Sequence, residues 1–531
     1  MNRKLQFLLV LTFFIKTSFA QLPNKAVDVL HYRYTLSIND TNNIITGQAE
    51  ITVKLNESVN KLSFDLMQLD TSGKGMTVTS VKQDGNAVPF TQQPQQLIIN
   101  KSAQANQQVI YSISYYGEPD DGFIISTNKF GKRTFFSDNW PNRAHHWIPC
   151  MDHPSDKATV EFIVTAPEHY QVVSNGLQVE ENSLYGGLKQ THWKEDVAIS
   201  TKIFALGAAD FAVNYPGNVN CIPLYSWIYP EQKEQGFKDY ALAKNILPWY
   251  IEKVGPYAYE KLANIQSKTI FGGVENAGAV FYSEKSVSDK GIESLLAHEL
   301  AHQWFGDAAS ETDWPHLWLS EGFATYMTQL YLEHKYGVDT LRAGMAEDRK
   351  EVIKLSKKRI TPVVDTSGIT NPMGLLNANS YQKGGWVLHM LRRKIGDVLF
   401  WKSIRAYYAK YNGSNASTED LRMIFEQQSG QDLKAFFDQW LYTPGQPKLT
   451  IEWKYDQQKK QLSFKIDQLQ NKPFIFPLKV LVKAANNTKI FVIEINKKIT
   501  TKIFPLNFRP TSVFADPNVD LLFEAMISEQ L

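Results

Sequence analysis

The sequence predicts a multidomain α+β protein: a β-sheet domain first, a mainly helical domain in the middle and a small β-sandwich at the end. Three patterns support this. Apolar residues alternate through Tyr32, Tyr34, Leu36 and Ile38 and again through Ala49, Ile51, Val53 and Leu55 across an Asn-rich turn, which is a β-hairpin opening a sheet. Strand-like patterns continue to about Phe211. From Tyr240 to Tyr250 the apolar spacing becomes helical and stays so to about Tyr442. After Pro447, alternation returns through Leu449, Ile451, Trp453 and Tyr455, then through Leu462, Phe464 and Ile466 on the far side of Asp456 to Lys460. The expected division is 21–215, 216–446 and 447–531, and 531 residues are enough for three such units.

Residues 1–20 read as a secretory signal peptide. Arg3-Lys4 precedes an apolar run from Leu5 to Ile15, and Ser18 and Ala20 place small residues before a cut at Gln21. The run is too short to span the roughly 30 Å of a bilayer core. The expected product is exported, periplasmic or secreted, with no stable membrane insertion after the signal is removed. The formal charge of +2 falls to −1 once the three leader cations Arg3, Lys4 and Lys16 are gone, so no basic field attracts nucleic acid. A content of 43% hydrophobic and 21% charged residues is that of a folded globular chain.

The densest chemistry lies in His298-Glu299-Leu300-Ala301-His302, followed after eighteen residues by Glu321. On a helix, positions four apart share a face, so His298 and His302 can offer two imidazoles to one tetrahedral Zn²⁺ while Glu299 points towards the water beside them. Glu321 completes a His₂Glu set for one zinc per chain. Three protein ligands leave the fourth position open, which lets a metal lower the pKa of bound water towards about 7. The surroundings fit a helix: Ser288-Asp289 offers an N-cap, Ile292, Leu295, Leu296 and Leu300 form an apolar face, and Phe305-Gly306 is a stop. Leu319, Phe323, Tyr326, Met327, Leu330 and Tyr331 put Glu321 in the first turn of a second helix. Upstream, Gly272-Gly273-Val274-Glu275-Asn276 is a glycine-flanked acid that, read alone, suits a tight turn with a solvated Glu.

These segments in this order, with Trp318-Leu319-Ser320-Glu321-Gly322 and Tyr381-Gln382-Lys383-Gly384, resemble the aminopeptidase N family of zinc gluzincins. Pro149-Cys150-Met151-Asp152-His153-Pro154, Trp440-Leu441 and Thr443-Pro444-Gly445 are similar to its flanking signatures. The resemblance implies a thermolysin-like zinc catalytic domain over 216–446 and peptide substrates with a free N-terminus. It implies that Glu275 holds the substrate's α-amino group, with Gly272, Gly273, Val274 and Asn276 beside it. It also implies that Tyr381 donates a hydrogen bond to the tetrahedral oxyanion; on its own Tyr381 reads as a core tyrosine of the helix through Trp386, Leu388 and Leu391.

Val274 stands where the family has Met, and Trp140 falls where it has a Glu or Gln that helps hold the amine. Asp138 is the nearest substitute anchor. Many members continue into a large helical domain beyond Leu531, so a more open cleft accepting longer peptides is expected. Cys150 and Cys221 are the only cysteines; their pairing stays open, with Cys150 favoured as a buried structural thiol. His145, His146 and His153 read as packing or surface residues. The chemistry leaves two rivals to an aminopeptidase: a zinc endopeptidase, which needs no amine anchor, and a catalytically silent peptide-binding scaffold, which needs no metal. A lipid epoxide hydrolase activity has no distinguishing residue.

Overall fold

The computed structural model describes residues 25–485 and 487–530, and the signal-peptide expectation lies outside them. The expected hairpin is present. Val27–Ser37 pairs antiparallel with Ile45–Leu55, Tyr34 opposite Ala49, and parallel with Lys157–Pro167 inside an eight-stranded sheet. Its inward tyrosines do more than fill space. Tyr34 donates to the Pro149 carbonyl at 3.0 Å and Tyr32 accepts from the Met151 amide at 2.9 Å, so the hairpin fixes the Pro149–Asp152 segment. Asp152 in turn accepts from Thr201 at 2.8 Å and pairs with His145 at 2.7 Å.

The middle of the chain contains α1 (Lys233–Tyr240), α2 (Ala243–Lys253), α3 (Ile292–His302), α4 (Trp318–Tyr336), α5 (Val338–Ser356), α6 (Gly384–Ile395), α7 (Asp397–Tyr411) and α8 (Thr418–Ser429). It also holds a five-stranded sheet that the sequence pattern concealed: Ala212–Val219, Ile222–Ile228, Leu262–Ser267, Ala279–Ser283 and Gly273–Val274 in spatial order. The inner pairs are parallel, and both faces are covered. Leu262, Val280 and Tyr282 face the helices, whereas Ala263, Ile265 and Phe281 face the core of the first domain. Ala279–Ser283, buried on both faces, reads as a continuous apolar run without polar alternation, so its period is invisible. The strand Ala212–Val219 also straddles the expected boundary at 215, because it pairs with Ile222–Ile228.

At the C-terminus, Leu449, Ile451 and Trp453 on Lys448–Asp456 and Leu462, Phe464 and Ile466 on Gln461–Gln468 all point inward. A four-stranded and a three-stranded sheet form the expected sandwich. It is not a free appendage. Its apolar interior is continuous with the helical core, Arg349 of α5 donates to Asp516 and to the Leu521 carbonyl, and His389 of α6 meets the Val519 carbonyl at 3.0 Å.

Candidate active site

Helix α3 starts at Ile292 with Gly291 as its N-cap; Ser288 lies a turn earlier at φ 72°, so the expected Ser288-Asp289 cap does not form. The helix carries His298 and His302 on one face, and Glu321 enters from the first turn of α4. His298 Nε2 and His302 Nε2 are 3.2 Å apart, and Glu321 Oε2 lies 3.5 Å from the first and 3.3 Å from the second. Ligands at zinc's usual 2.0–2.1 Å on the corners of a tetrahedron are about 3.3–3.4 Å apart, so the three atoms form one face of such a tetrahedron. His302 Nδ1 faces the Phe305 carbonyl at 3.1 Å and Ser320 Oγ at 3.0 Å. A carbonyl only accepts, so Nδ1 carries the proton and the lone pair of Nε2 is left for a metal. The buried Glu321 Oε2 makes no hydrogen bond within the described residues. Such an atom is costly without a partner, and a cation in this position supplies one. The residues present therefore fit zinc.

Two close backbone approaches bring the ligands together. Gly306, at φ 118°, sits where a Cβ would overlap Ser320 Oγ and come within 3.2 Å of His302 Nδ1. Gly322 and Gly384 let α4 and α6 touch backbone to backbone, since a Cβ on Gly322 would meet Gly384 Cα at 2.9 Å. That crossing places Tyr381, in a π-helical turn over Asn379–Lys383, beside Glu321 and stacks its ring on His298 at 6.0 Å. Lys383 anchors the turn by donating to the Gly445 carbonyl at 2.7 Å.

Glu299 is buried, and its carboxylate packs directly over Gly273, where a Cβ would overlap it. Burial pushes its carboxyl well above the usual carboxylate range; His302 opposes this, and Glu275 and Glu321 add to it. Glu275 follows the edge strand Gly273–Val274. Its Oε1 is buried and has no hydrogen-bond partner among the described residues. Its main chain is held by Gln303: Gln303 Nε2 donates to the Glu275 carbonyl and to Asp307 Oδ2, each at 2.8 Å, and Gln303 Oε1 accepts from the Gly278 amide at 2.8 Å. Away from the cavity lining, Lys202 of the first domain makes a buried ion pair with Glu311 at 2.6 Å; Glu299, Glu275, Tyr381 and the metal-ligand residues face inward.

These groups share one cavity of about 250 Å³, which is also lined by Trp140, Phe271, Gly272, Gly273, Val274, Leu295 and Leu376. In it the unpartnered carboxylate oxygens of Glu275 and Glu321, the His298 and His302 imidazoles and the Tyr381 phenol converge.

Residues 239–440 match the Peptidase family M1 domain and residues 29–203 match the Peptidase M1 N-terminal domain. The chain belongs to peptidase family M1. Among curated M1 relatives, it is 28% identical over 327 residues to Aminopeptidase M1-C of Oryza sativa subsp. japonica, covering 59% of this chain and 37% of that protein. It is 27% identical over 423 residues to Probable aminopeptidase 1 of Sulfurisphaera tokodaii, covering 74% of this chain and 51% of that one. The chain thus spans about half or less of the length of these relatives. The fold matches the crystal structure of Legionella pneumophila aminopeptidase A in complex with aspartic acid, with a TM-score of 0.80 at 19% identity over 97% of this chain and 61% of that chain. It also matches a mutant M1 zinc metallopeptidase from Deinococcus radiodurans, with a TM-score of 0.66 at 23% identity over 78% of this chain and 94% of that one.

Within this M1 fold, His298, His302, Glu321, Glu299, Glu275, Tyr381, Gly272, Gly273 and Val274 all line the one cavity. Asn276 does not line the cavity; it is buried behind it. Asp138 is not a second amine anchor. Its carboxylate accepts from Arg143 at 2.7 Å, from the Ile270 amide at 3.0 Å and from Thr269 at 3.2 Å, so it is spent on positioning the loop before Phe271. Trp140 itself forms the wall at that point. Cys150 is buried and Cys221 exposed, both as free thiols. His145, His146 and His153 pair with Asp152, Asp120 and Asp313 and gather no metal-ligand set. Gln303 directly follows one motif and Ser320 lies inside another, yet spacing alone assigned them no task, because Ser320 meets His302 across two helices and Gln303 reaches Glu275 and Gly278 on a separate segment.

Proposed function

We propose that the protein is a zinc-dependent aminopeptidase that removes the N-terminal residue from peptides. The observation that carries this reading is Glu275 Oε1, a buried carboxylate oxygen without a hydrogen-bond partner among the described residues, in the same cavity as three converging metal-ligand atoms. An unpaired buried anion is expensive unless a cation visits it, and a substrate ammonium is such a cation. The M1 relatives named as aminopeptidases support the same reading.

His298, His302 and Glu321 would hold Zn²⁺, which when bound supplies Lewis-acid polarisation of the carbonyl and of a water. Glu275 pairs with the ammonium and so sets the register, bringing the first peptide carbonyl to the metal site and no other. Glu299 Oε atoms take the proton of the attacking water and return it to the leaving amine. Tyr381 Oη–H donates to the oxygen that gains negative charge in the transition state. Ser320 and the Phe305 carbonyl keep His302 in the tautomer that presents Nε2.

Glu275→Ala tests this. Zinc content should persist while cleavage of free-amine peptides drops by at least about tenfold, since a charge-assisted bond to a buried ammonium is worth about 1.5–3 kcal/mol. An N-acetylated peptide should be a poor wild-type substrate that loses little more on mutation. Equal cleavage of acetylated and free peptides at one bond would replace this reading with an endopeptidase. For destination, we propose export, supported by the leader-like composition of residues 1–20; the mature protein should begin at Gln21 on N-terminal sequencing. No helix among the described residues is long and apolar enough to cross a membrane.

A further inference from the structure

The peptide's first side chain has only one wall left to meet. With the amine at Glu275 and the carbonyl at the metal ligands, the Cα between them is fixed at both ends, and its side chain must leave towards the remaining lining. That lining is Trp140, Phe271, Val274, Leu295 and Leu376, with the bare glycine Gly272 beside them. Four of these side chains are hydrocarbon only, Trp140 adds one indole N–H without a hydrogen-bond partner among the described residues, and no Lys or Arg lines the cavity.

We propose that Trp140, backed by Phe271, forms the subsite that selects the N-terminal residue, and that this subsite takes large apolar or aromatic side chains and rejects acidic ones. This rests on the aminopeptidase reading above. Trp140 is held rather than mobile. It is 3% exposed and is braced edge-on by Phe271 and by Trp314, each with ring centroids 6.2 Å away. Phe271 is braced in turn by the Arg143 guanidinium, 5.8 Å from its ring. Arg143, which stands behind this wall, is engaged by Asp138 and Asp121, each at 2.7 Å. It is therefore not free to pair with a substrate carboxylate. An acidic side chain entering here loses water, finds no Lys or Arg in the lining to pair with and comes close to the carboxylates of Glu275 and Glu299. A bulky apolar side chain sheds water against rings and methyl groups already in place. Gly272 adds room, since a Cβ there would have only Leu295 nearby, at 3.9 Å.

The test is a panel of aminoacyl-arylamides carrying Phe, Leu, Met, Ala, Lys, Asp and Glu. The kcat/KM for Phe and Leu should exceed that for Ala by about tenfold or more, the scale on which apolar pockets discriminate, and Asp and Glu should be poorest. In Trp140→Ala and, separately, Phe271→Ala, the ratio of Phe to Ala should fall towards one with zinc still bound. Calorimetry on the Glu299→Gln protein gives a readout without turnover: phenylalanine amide should bind about tenfold or more tighter than aspartate amide. A flat panel, an acidic preference, or an unchanged ratio in both variants would overturn the subsite. Absence of cleavage across the whole panel, with zinc bound, would instead overturn the aminopeptidase reading itself.

Discussion

The side-chain amide of Gln303 holds the main-chain oxygen of Glu275 at 2.8 Å, and so joins the unpaired acid of the cavity to the end of the helix that carries both metal-ligating histidines. All of its hydrogen-bonding capacity is engaged. The second amide hydrogen goes to Asp307, and the oxygen accepts from the Gly278 amide at 2.8 Å and the Tyr257 hydroxyl at 3.3 Å. One buried side chain thereby ties the main chain at Glu275 to the end of the helix that carries the metal ligands.

Gln303→Leu, similar in size but unable to make these bonds, should raise KM for free-amine substrates by about tenfold, or about 1.4 kcal/mol, with a smaller change in kcat. Inhibitors separate this from general damage. A hydroxamate bearing an α-amine should lose affinity, and one without it should keep its affinity, because only the amine contact passes through Glu275. Equal losses for both would make Gln303 a purely structural residue.

Glu299→Gln should keep zinc and lose roughly 10² to 10⁴ in kcat, the usual contribution of a positioned general base. The amide cannot accept the water's proton, yet its size leaves the packing over Gly273 nearly unchanged. Turnover near the wild-type level, with metal confirmed by elemental analysis, would remove Glu299 from the reaction.

Tyr381→Phe should lower kcat far more than it raises KM. The phenol's hydrogen bond forms with charge present only in the transition state, and one such donor is worth about 2.7–4 kcal/mol. The ring stacked on His298 is retained in the variant, so zinc affinity provides the control. A change confined to KM would assign Tyr381 to binding.

Much of the site could be read from the chain because its spacing is set locally. His298 and His302 share a face by helical periodicity, and Glu321 falls in a first turn that the apolar pattern from Leu319 to Tyr331 defines. The C-terminal sandwich was legible for the same reason, since Leu449, Ile451 and Trp453 alternate against solvent. What escaped depends on partners distant in sequence. The five-stranded sheet is covered on both faces, so Ala279–Ser283 shows four buried apolar or aromatic residues in a row and no period. Asp138 looked like an available acid because nothing in the sequence announces Thr269 and Ile270, more than 130 residues away, as its partners. Gln303 was hidden likewise, its tasks lying on the loop that follows Val274.

The two adjacent glycines just before Val274, Gly272 and Gly273, give a test of the geometry that neither motif nor family supplies. Neither has a left-handed φ, so replacing them carries no backbone penalty and each substitution reports only on what a new methyl would touch. At Gly272 the methyl would meet only Leu295, at 3.9 Å, an ordinary contact. At Gly273 it would overlap the carboxylate of Glu299, and the antiparallel pairing of Gly273 with Tyr282 prevents the strand from moving aside. Gly273→Ala should therefore displace the base and lower kcat by roughly 10²-fold or more, towards the loss expected for Glu299→Gln, with zinc still bound. Gly272→Ala should stay within a few-fold of wild type. Combining Gly273→Ala with Glu299→Gln should cost little beyond Glu299→Gln alone, because both remove the same function. Fully additive losses in the double variant would show that Gly273 acts on something other than the position of Glu299.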